Sequence, residues 1–388
     1  MTTLAMVSIG GVCDARFERV RRTFESSFDR GELGASVAVT IDGRPVVDLW
    51  GGHVDKARTK AWEEDTLVNV FSVTKGIAAV CALRLVERGR LALDEPVSRY
   101  WPEFAQAYKA RVRVRDLLSH RAGLPAIARR LPPEALFDWG AMTDALAAQA
   151  PWWPPGAAHG YHAITYGWLV GETIRRAAGK SVTAFVRDEI AGPLGIDFHI
   201  GLPGEHAARV TDLRGASPPA PGQRSLVAEI AADPTSLTAL AFTNPAPLVP
   251  AIANSPAYRA AELPSVNGHT NARALARLYG ALASGGAIDG ARLLEPATID
   301  RARAQESSGM DLILGEPTRF GLGFMLSHDG LRLGPNDGAF GHPGAGGSLG
   351  FADPAAKLGF GYTMNKMGSS LLMDPRASAL IDAVYASL

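Results

Sequence analysis

The distribution of strand-like and helix-like segments along the chain constrains its fold more than any other feature. Near the N-terminus, "ASVAVTI" and "RPVVDLWGG" are apolar, β-branched runs on either side of Asp42-Gly43, a dipeptide that readily adopts the positive φ angles of a tight hairpin turn. Toward the C-terminus, four more segments predict short strands, a turn at "DPAA" between the last two, and a terminal helix from about Pro375: "FGLGFMLS", "AFGHPG", "GSLGFADP" and "KLGFGYTMN".

The middle of the chain has a different pattern, with apolar residues recurring every three to four positions and glycines marking helix ends. The helix-like segments are "VRDLLSHRAGL", "AMTDALAAQA", "TYGWLVGETIRRAAG", "SVTAFVRDEIAGPLG" and "TNARALARLYGALASGG". We therefore expect an α+β fold in which residues 1–100 and 270–388 form a discontinuous domain, an antiparallel sheet flanked by helices. Residues 101–269 would form an inserted, mostly helical domain, with the active site in the cleft between the two.

Charge and composition exclude several classes of function. Thirty-nine basic residues balance thirty-nine acidic ones, so nothing indicates a nucleic acid or an anionic membrane as partner, and a neutral small molecule fits better. No run of 18 apolar residues predicts a membrane span, and the N-terminus lacks the basic region of a secretory signal. Cys13 and Cys81 lie far apart and form no CxxC motif, so we expect reduced, structural thiols in a cytoplasmic protein that needs no cofactor.

The segment "FSVTKG", residues 71–76, places Ser72 three positions before Lys75. A serine at a helix start is most often an N-cap, and a lysine there is most often solvated. In a helix, however, positions i and i+3 share a face, and the apolar residues that follow would keep Lys75 dry. A desolvated lysine loses its proton more easily and can then accept the proton of a nearby hydroxyl. The segment is therefore a candidate pair of nucleophile and base.

Two further segments carry a family resemblance. "PWWPPGAAHGYHAITYGWLVG" places Tyr161 between a Pro-Gly turn and a helix, and "FGHPGAGGSLGFADP" places His342 on a strand followed by a glycine-rich backbone. Together with "FSVTKG", these segments resemble the SxxK, Tyr-x-Asn and Lys-Thr-Gly or His-x-Gly elements of the serine β-lactamase and penicillin-binding protein superfamily. The chain most closely resembles the family VIII carboxylesterases of that superfamily, over nearly its whole length.

The resemblance implies a β-lactamase-like fold and a set of catalytic roles. Ser72 would be the nucleophile, Lys75 and Tyr161 would share the role of base, and the backbone N–H groups of Ser72 and Ala345 would form the oxyanion hole. Tyr161 would act as a phenolate-like proton acceptor, with a pKa held below its ordinary value of about 10 by the neighbouring Lys75 cation.

The chain departs from the superfamily pattern where the substrate would bind. Ala163 replaces the asparagine of Tyr-x-Asn, and His342 and Pro343 replace the lysine and the hydroxyl residue of Lys-Thr-Gly. A histidine is largely neutral above its unperturbed pKa of about 6.5, so this site suits uncharged esters better than substrates that carry a carboxylate. The expected substrate contacts are His342, Gly344, Trp152 and Trp153, although His342 could be structural and the two tryptophans could be plain core.

These residues predict a serine hydrolase that cleaves small-molecule carboxylic esters through an acyl-enzyme on Ser72. The alternatives are an acyltransferase that uses the same acyl-enzyme, a weak β-lactamase or D-amino peptidase, and a binding protein that kept the fold and lost the chemistry. The oligomeric state stays open.

Other motifs offer weaker candidates. "GGSLG" around Ser348 matches the nucleophile elbow of α/β-hydrolases, but that elbow needs a following helix and a later histidine, and none follows His342. His159 and His162 have no acidic or cysteine ligands near them in the sequence, so we expect no metal site. His120, with Ser119 before it in "LLSHRAGLP", is expected to cap and pack a loop.

Overall fold

One antiparallel sheet joins the two ends of the chain. The computed structural model describes residues 7–216 and 224–388, and in these residues the sheet has nine strands in the order β1-β3-β2-β14-β13-β12-β11-β10-β9. The strands of the chain are β1 (Ile9–Cys13), β2 (Gly34–Ile41), β3 (Arg44–Gly52), β4 (Val68–Asn69), β5 (Phe198–His199), β6 (His269–Thr270), β7 (Ala287–Ile288), β8 (Ala291–Arg292), β9 (Ser307–Met310), β10 (Pro317–Phe320), β11 (Met325–Leu326), β12 (Phe340–Pro343), β13 (Leu349–Asp353) and β14 (Leu358–Met364).

The predicted strands are mostly confirmed. β2 and β3 form the expected hairpin, and Asp42 and Gly43 both have positive φ angles, 48° and 76°. β12, β13 and β14 follow the predicted segments, with a turn after Asp353. The segment "FGLGFMLS" is not the single strand that was expected. The chain reverses so that Phe320 pairs with Met325, and Gly323 takes a φ of 83° in the turn.

Helices cover the sheet and fill the middle of the chain. They are α1 (Glu18–Asp29), α2 (Thr74–Glu87), α3 (Val114–Leu118), α4 (Trp139–Ala148), α5 (Tyr166–Ala178), α6 (Val182–Val186), α7 (Gly192–Leu194), α8 (Leu226–Ala232), α9 (Leu237–Thr243), α10 (Pro250–Ala253), α11 (Pro256–Ala260), α12 (Ala272–Ala283), α13 (Pro296–Ala302) and α14 (Pro375–Tyr385). Short 3₁₀ helices span Ala15–Phe17, Val97–Arg99, Pro102–Ala105, Pro133–Phe137 and Gly204–Arg209.

Two predicted helices are shorter than expected. α3 ends at Leu118, and His120 two residues later has a φ of 60°, which a continuing helix does not allow. The segment "SVTAFVRDEIAGPLG" is divided into α6, a π-helical turn at Arg187–Ala191, and α7. The helices predicted at α4, α5, α12 and α14 are confirmed.

Small residues let α12 lie directly on the sheet. A side chain at Gly359 would meet the backbone nitrogen of Gly280 at 2.2 Å, and one at Gly361 would meet the carbonyl oxygen of Ala272 at 2.2 Å. Glycine in a strand interior normally weakens it, and here it marks the close approach of another backbone. α2 is buried along almost its whole length and contacts α5, α6 and β12, so its N-terminus lies where the sheet meets the helices.

Between residues 101 and 269 of the described chain, most of the regular structure is helical, α3 to α11 with short 3₁₀ and π-helical turns, beside the short strand β5. The division into two domains at these boundaries, with a cleft between them, stays a prediction. Residues 1–6, the start of the segment judged a poor secretory signal, and residues 217–223 lie outside the described residues. No helix in the described ranges is both long enough and apolar enough to cross a membrane.

Candidate active site

Ser72 lies at the end of a constrained turn that leads into α2. Phe71 has a φ of 43°, an unfavourable angle for a bulky residue, and its N–H donates to Asn69 Oδ1 at 3.2 Å. The Thr74 hydroxyl donates to the Phe71 carbonyl and accepts the N–H of Gly268 at 2.8 Å. This turn leaves Ser72 partly exposed while the rest of the first helical turn is buried. No side chain of the described residues caps α2, so Ser72 is not the N-cap.

Lys75 is fully buried beside Ser72. Its Nζ lies 3.1 Å from Ser72 Oγ, 2.8 Å from the carbonyl oxygen of Ala163 and 3.1 Å from that of Ser265. Burial lowers its pKa well below the ordinary lysine value, and no carboxylate of the described residues opposes this shift. A neutral amine has two N–H donors and one lone pair. In that form the two carbonyls take the two donors and leave the lone pair for the Ser72 hydroxyl, whereas the ammonium form donates to Ser72 Oγ.

Tyr161 completes this group. Its ring stacks on Phe320 at 6.2 Å between centroids, and Lys75 Nζ lies 4.8 Å from the centre of the Tyr161 ring. Burial raises the pKa of Tyr161 far above its ordinary value, and the interaction with the Ser72 side chain opposes this only in part. This direction is opposite to the lowered pKa that was expected, and its largest cause is desolvation. Burial thus favours the uncharged phenol, the form that can donate a proton.

The backbone after β12 approaches the start of α2. A side chain at Gly344 would meet the Val70 carbonyl oxygen at 2.2 Å, so only glycine fits this contact. The Gly344 N–H donates to the Ser348 carbonyl at 2.7 Å, which closes a turn around Ala345. Within residues 7–216 and 224–388, neither the Ala345 N–H nor the Ser72 N–H has an acceptor. Both groups are therefore available to an oxyanion.

His342 lies at the site as an uncharged side chain. It is 1 % exposed, and its ring centre lies 6.0 Å from that of Tyr161. Nδ1 donates to the Pro343 carbonyl at 2.7 Å, and Nε2 has no partner among the described residues. Burial, and then the proximity of Lys75, lower the pKa of His342 to about 3. The position that holds a lysine in much of the superfamily therefore holds no cation here.

The two tryptophans differ in their surroundings. A side chain at Gly160 would meet the Trp153 ring at 2.8 Å, so Trp153 braces the segment that carries Tyr161. Trp152 is 42 % exposed, and its indole N–H donates to the Ala126 carbonyl at 3.0 Å. Trp152 is therefore not plain core, and a wall for the acyl group stays a prediction for both.

The sequence did not indicate two residues of the site, Ser265 and Asp311, and it indicated only a structural role for a third, His120. Ser265 supplies a carbonyl to Lys75, and the buried carboxylate of Asp311 accepts the Tyr161 N–H at 2.9 Å. His120 does pack a loop, as expected, but its ring also lies 5.1 Å from that of Tyr161. No motif marks Ser265, whereas an aspartate in the apolar run "GMDLIL" could have indicated a buried carboxylate.

The rival candidates have structural environments. Ser348 is buried, and the strand β13 follows it directly where an α/β-hydrolase elbow would begin a helix, so that elbow is absent at this serine. Both ring nitrogens of His162 are occupied: Nδ1 lies 2.6 Å from the Gly160 carbonyl oxygen, and Nε2 accepts the Leu124 N–H at 3.0 Å. No cluster of three or more histidine, cysteine or acidic side chains that could hold a metal occurs in the described chain.

Comparison with known proteins identifies the family. The model of the Beta-lactamase family matches residues 18–383. The chain belongs to the beta-lactamase family. A penicillin-binding protein homologue from Caulobacter crescentus superimposes with a TM-score of 0.90 at 45% identity, covering 98% of this chain and 100% of that one. A family VIII carboxylesterase gives a TM-score of 0.90 at 40% identity, with the same coverage.

A curated relative points the same way. The esterase/beta-lactamase LipL of Mycobacterium tuberculosis is 36% identical over 360 residues, which cover 89% of this chain and 80% of LipL. The family and these relatives support a serine hydrolase with the β-lactamase fold.

Proposed function

We propose that this protein hydrolyses carboxylic esters of small, uncharged molecules through an acyl-enzyme on Ser72. The observation that carries the proposal is the environment of Lys75. A buried amine whose two N–H groups are taken by the Ala163 and Ser265 carbonyls has its lone pair left for Ser72 Oγ, 3.1 Å away. This arrangement activates a serine hydroxyl without a histidine.

Acylation then follows with each proton accounted for. Lys75 accepts the Ser72 hydroxyl proton as Oγ bonds to the ester carbonyl carbon. The Ser72 and Ala345 N–H groups stabilise the oxyanion, an effect worth about 3 kcal/mol for one such donor. The bond to the leaving oxygen breaks as Tyr161 donates its phenolic proton, and Tyr161 regains a proton from the Lys75 ammonium. The products of this step are the free alcohol and the acyl-enzyme.

Deacylation is the same sequence in reverse, with water in place of the alcohol. Tyr161 accepts a proton from the attacking water as it passes its own phenolic proton to Lys75. The Ser72 oxygen then leaves as Lys75 returns that proton to it. The carboxylic acid departs, and the starting state is restored.

The absence of a fixed cation favours esters over β-lactam antibiotics, which carry a carboxylate. His342 is uncharged at neutral pH, and Ala163 offers no side-chain hydrogen bond to an amide. An alkoxide also leaves more readily than an amine, so cleavage of an ester depends less on proton donation by Tyr161 than cleavage of a peptide does. The printed names of the relatives support ester hydrolysis, since one is a family VIII carboxylesterase and LipL is an esterase/beta-lactamase, and the preference over lactams rests on His342 and Ala163 alone.

The test combines turnover with direct detection of the intermediate. The purified protein is incubated with ethyl butyrate and p-nitrophenyl butyrate, and mass spectrometry locates the butyryl adduct. We expect the adduct on Ser72, no turnover by Ser72→Ala, and turnover close to wild type by the matched control Ser348→Ala. Full activity of Ser72→Ala would refute the proposal. Adding an alcohol to the same assay shows whether the acyl group passes to water or to an alcohol.

A further inference from the structure

Asp311 is a buried acid in the loop between β9 and β10, and no motif marked it. Its side chain is fully buried, and Oδ1 accepts the backbone N–H groups of Tyr161, Ile313 and Leu314, each at 2.9 Å. Oδ2 accepts the Thr318 hydroxyl at 3.2 Å. Within the described residues no lysine or arginine pairs with this carboxylate, and the nearest group that could carry a positive charge is His159, with Nε2 at 4.0 Å from Oδ2.

Four hydrogen-bond donors therefore stabilise the buried Asp311 carboxylate in place of an ion pair. Removing a carboxylate from water is costly unless its oxygens are hydrogen-bonded. Two of the four donors, the N–H groups of Ile313 and Leu314, belong to the local turn. The Tyr161 N–H comes from a segment 150 residues away in sequence, so this bond joins two separate parts of the fold.

A second bond ties the same two segments together. The Leu312 N–H donates to the His159 carbonyl at 3.2 Å, two residues before Tyr161. His159 also meets the Thr318 hydroxyl through Nε2 at 2.9 Å, and that hydroxyl is the donor to Asp311 Oδ2. Hydrogen bonds on both sides of Gly160, at the His159 carbonyl and the Tyr161 N–H, thus hold the backbone of residues 159–161 against the β9–β10 loop.

We propose that Asp311 is a positioning residue that holds Tyr161 where its phenol can protonate the leaving oxygen of an ester. This inference rests on the proposed ester hydrolysis. The Tyr161 Cβ is two bonds from the nitrogen that Asp311 fixes, so the carboxylate sets the point from which the phenol extends toward Ser72.

The charge of Asp311 acts in the same direction as its geometry. The ionisable groups around Tyr161 that could carry a positive charge include Lys75, His120 and His342, and burial lowers the pKa of each, which disfavours their charged forms. The negative charge of Asp311 raises the pKa of Tyr161 further. A phenol that keeps its proton is the form needed by a leaving-group acid.

A merely structural role for Asp311 makes a different prediction, and Asp353 provides the matched control. Asp353 is also fully buried and caps a turn, accepting the Ala355 N–H at 3.0 Å and the Tyr385 hydroxyl at 2.5 Å. β13 begins at Leu349, near the site, and Asp353 lies at the other end of this strand. Asp353→Asn therefore reports the effect of weakening a buried aspartate turn away from Tyr161.

The experiment compares two esters that differ in their need for an acid. p-Nitrophenolate is stable without a proton, whereas ethoxide must be protonated as it leaves. The ratio kcat/KM reports steps up to acyl-enzyme formation, so deacylation does not affect it. We expect Asp311→Ala to lower kcat/KM for ethyl butyrate about 100-fold and for p-nitrophenyl butyrate less than about 10-fold. Asp353→Asn should lower both by one common factor of less than about threefold.

Asp311→Asn covers the case in which Asp311→Ala does not fold, as judged by circular dichroism. It keeps an oxygen for the three N–H groups and loses the charge and the acceptor for the Thr318 hydroxyl, so its selective loss on ethyl butyrate should be smaller and of the same kind. The double variant Asp311→Ala/Tyr161→Phe should match Tyr161→Phe alone within about threefold.

Three results would overturn the inference. Equal losses on the two esters in the Asp311 variants would show that the carboxylate only stabilises the fold. Additive losses in the double variant would show that it does not act through Tyr161. If the wild-type protein hydrolysed neither ester and formed no adduct, the proposed function would fall and this inference with it, which separates the two failures.

Discussion

The rising limb of the pH profile of ester hydrolysis should belong to Lys75 and not to Tyr161. Burial lowers the pKa of Lys75 well below its ordinary value and raises that of Tyr161 well above its own. We therefore expect kcat/KM for p-nitrophenyl butyrate to rise as the pH increases through the pKa of Lys75. It should then stay level, because Tyr161 keeps its proton at alkaline pH.

The structure sets the expected magnitudes. Protonation of Lys75 removes the lone pair that accepts the Ser72 proton, so each pH unit below that pKa lowers kcat/KM tenfold, or about 1.4 kcal/mol. Lys75→Ala removes the base and leaves two carbonyls without a donor, and we expect a loss on the order of 10⁴-fold. Tyr161→Phe removes only the acid, so its loss should be about 10-fold with p-nitrophenyl butyrate and about 10³-fold with ethyl butyrate.

The assay measures the profile of wild type and Tyr161→Phe on p-nitrophenyl butyrate across the acidic to alkaline range. The Tyr161→Phe profile should be lower and should keep its rising limb. A flat Tyr161→Phe profile would show that the phenolate is the base, and the reasoning from burial would be wrong. Circular dichroism of both proteins at each pH excludes unfolding as the cause of a lost limb.

Three further predictions follow from the same contacts. Nitrocefin should be turned over with a kcat/KM at least about 100-fold below that of p-nitrophenyl butyrate, because no cation at His342 receives its carboxylate; His342→Lys should narrow the gap, and equal values in wild type would contradict this. Gly344→Ala should lower both the melting temperature and ester turnover, because the new methyl group would lie 2.2 Å from the Val70 carbonyl oxygen; unchanged values for both in thermal unfolding and steady-state assays would rule that contact out. Between the lowered pKa of Lys75 in the folded chain and about 10.4, the unfolded chain binds a proton on Lys75 that the folded chain does not bind. The free energy of unfolding in urea of wild type, relative to that of Lys75→Met, should therefore rise with pH in this window. A difference that does not vary with pH would count against a neutral lysine.

The sheet was predictable where a local signal specified it. Asp42-Gly43 determines the β2–β3 hairpin because that dipeptide accepts positive φ angles at both positions. The reversal between Phe320 and Met325 was missed because its glycines lie inside an apolar run that also satisfies a strand pattern. The stop after α3 depends on His120 at a positive φ, which no propensity of histidine predicts.

The sequence predicted which residues form the candidate site, but it did not predict their protonation states. Ser72, Lys75 and Tyr161 come together as the motifs implied, since Lys75 Nζ lies 3.1 Å from Ser72 Oγ and 4.8 Å from the centre of the Tyr161 ring. The direction of the Tyr161 pKa depends on burial by segments far apart in sequence. The same holds for Asp311, whose bond to Tyr161 joins residues 150 positions apart.

The two departures from the superfamily pattern are connected through the protonation of Lys75. A lysine at position 342 would place a second cation near Lys75 and so help to keep it neutral, and His342 supplies no such charge. Desolvation alone must then lower the pKa of Lys75, and it is the one cause that acts on this amine. Ala163, which is 4 % exposed, places a methyl group where an asparagine would bring a polar amide. Desolvation in this pocket thus lowers the pKa of Lys75, as a neighbouring cation could also do. The absence of a cation at position 342 also removes the attraction for a substrate carboxylate.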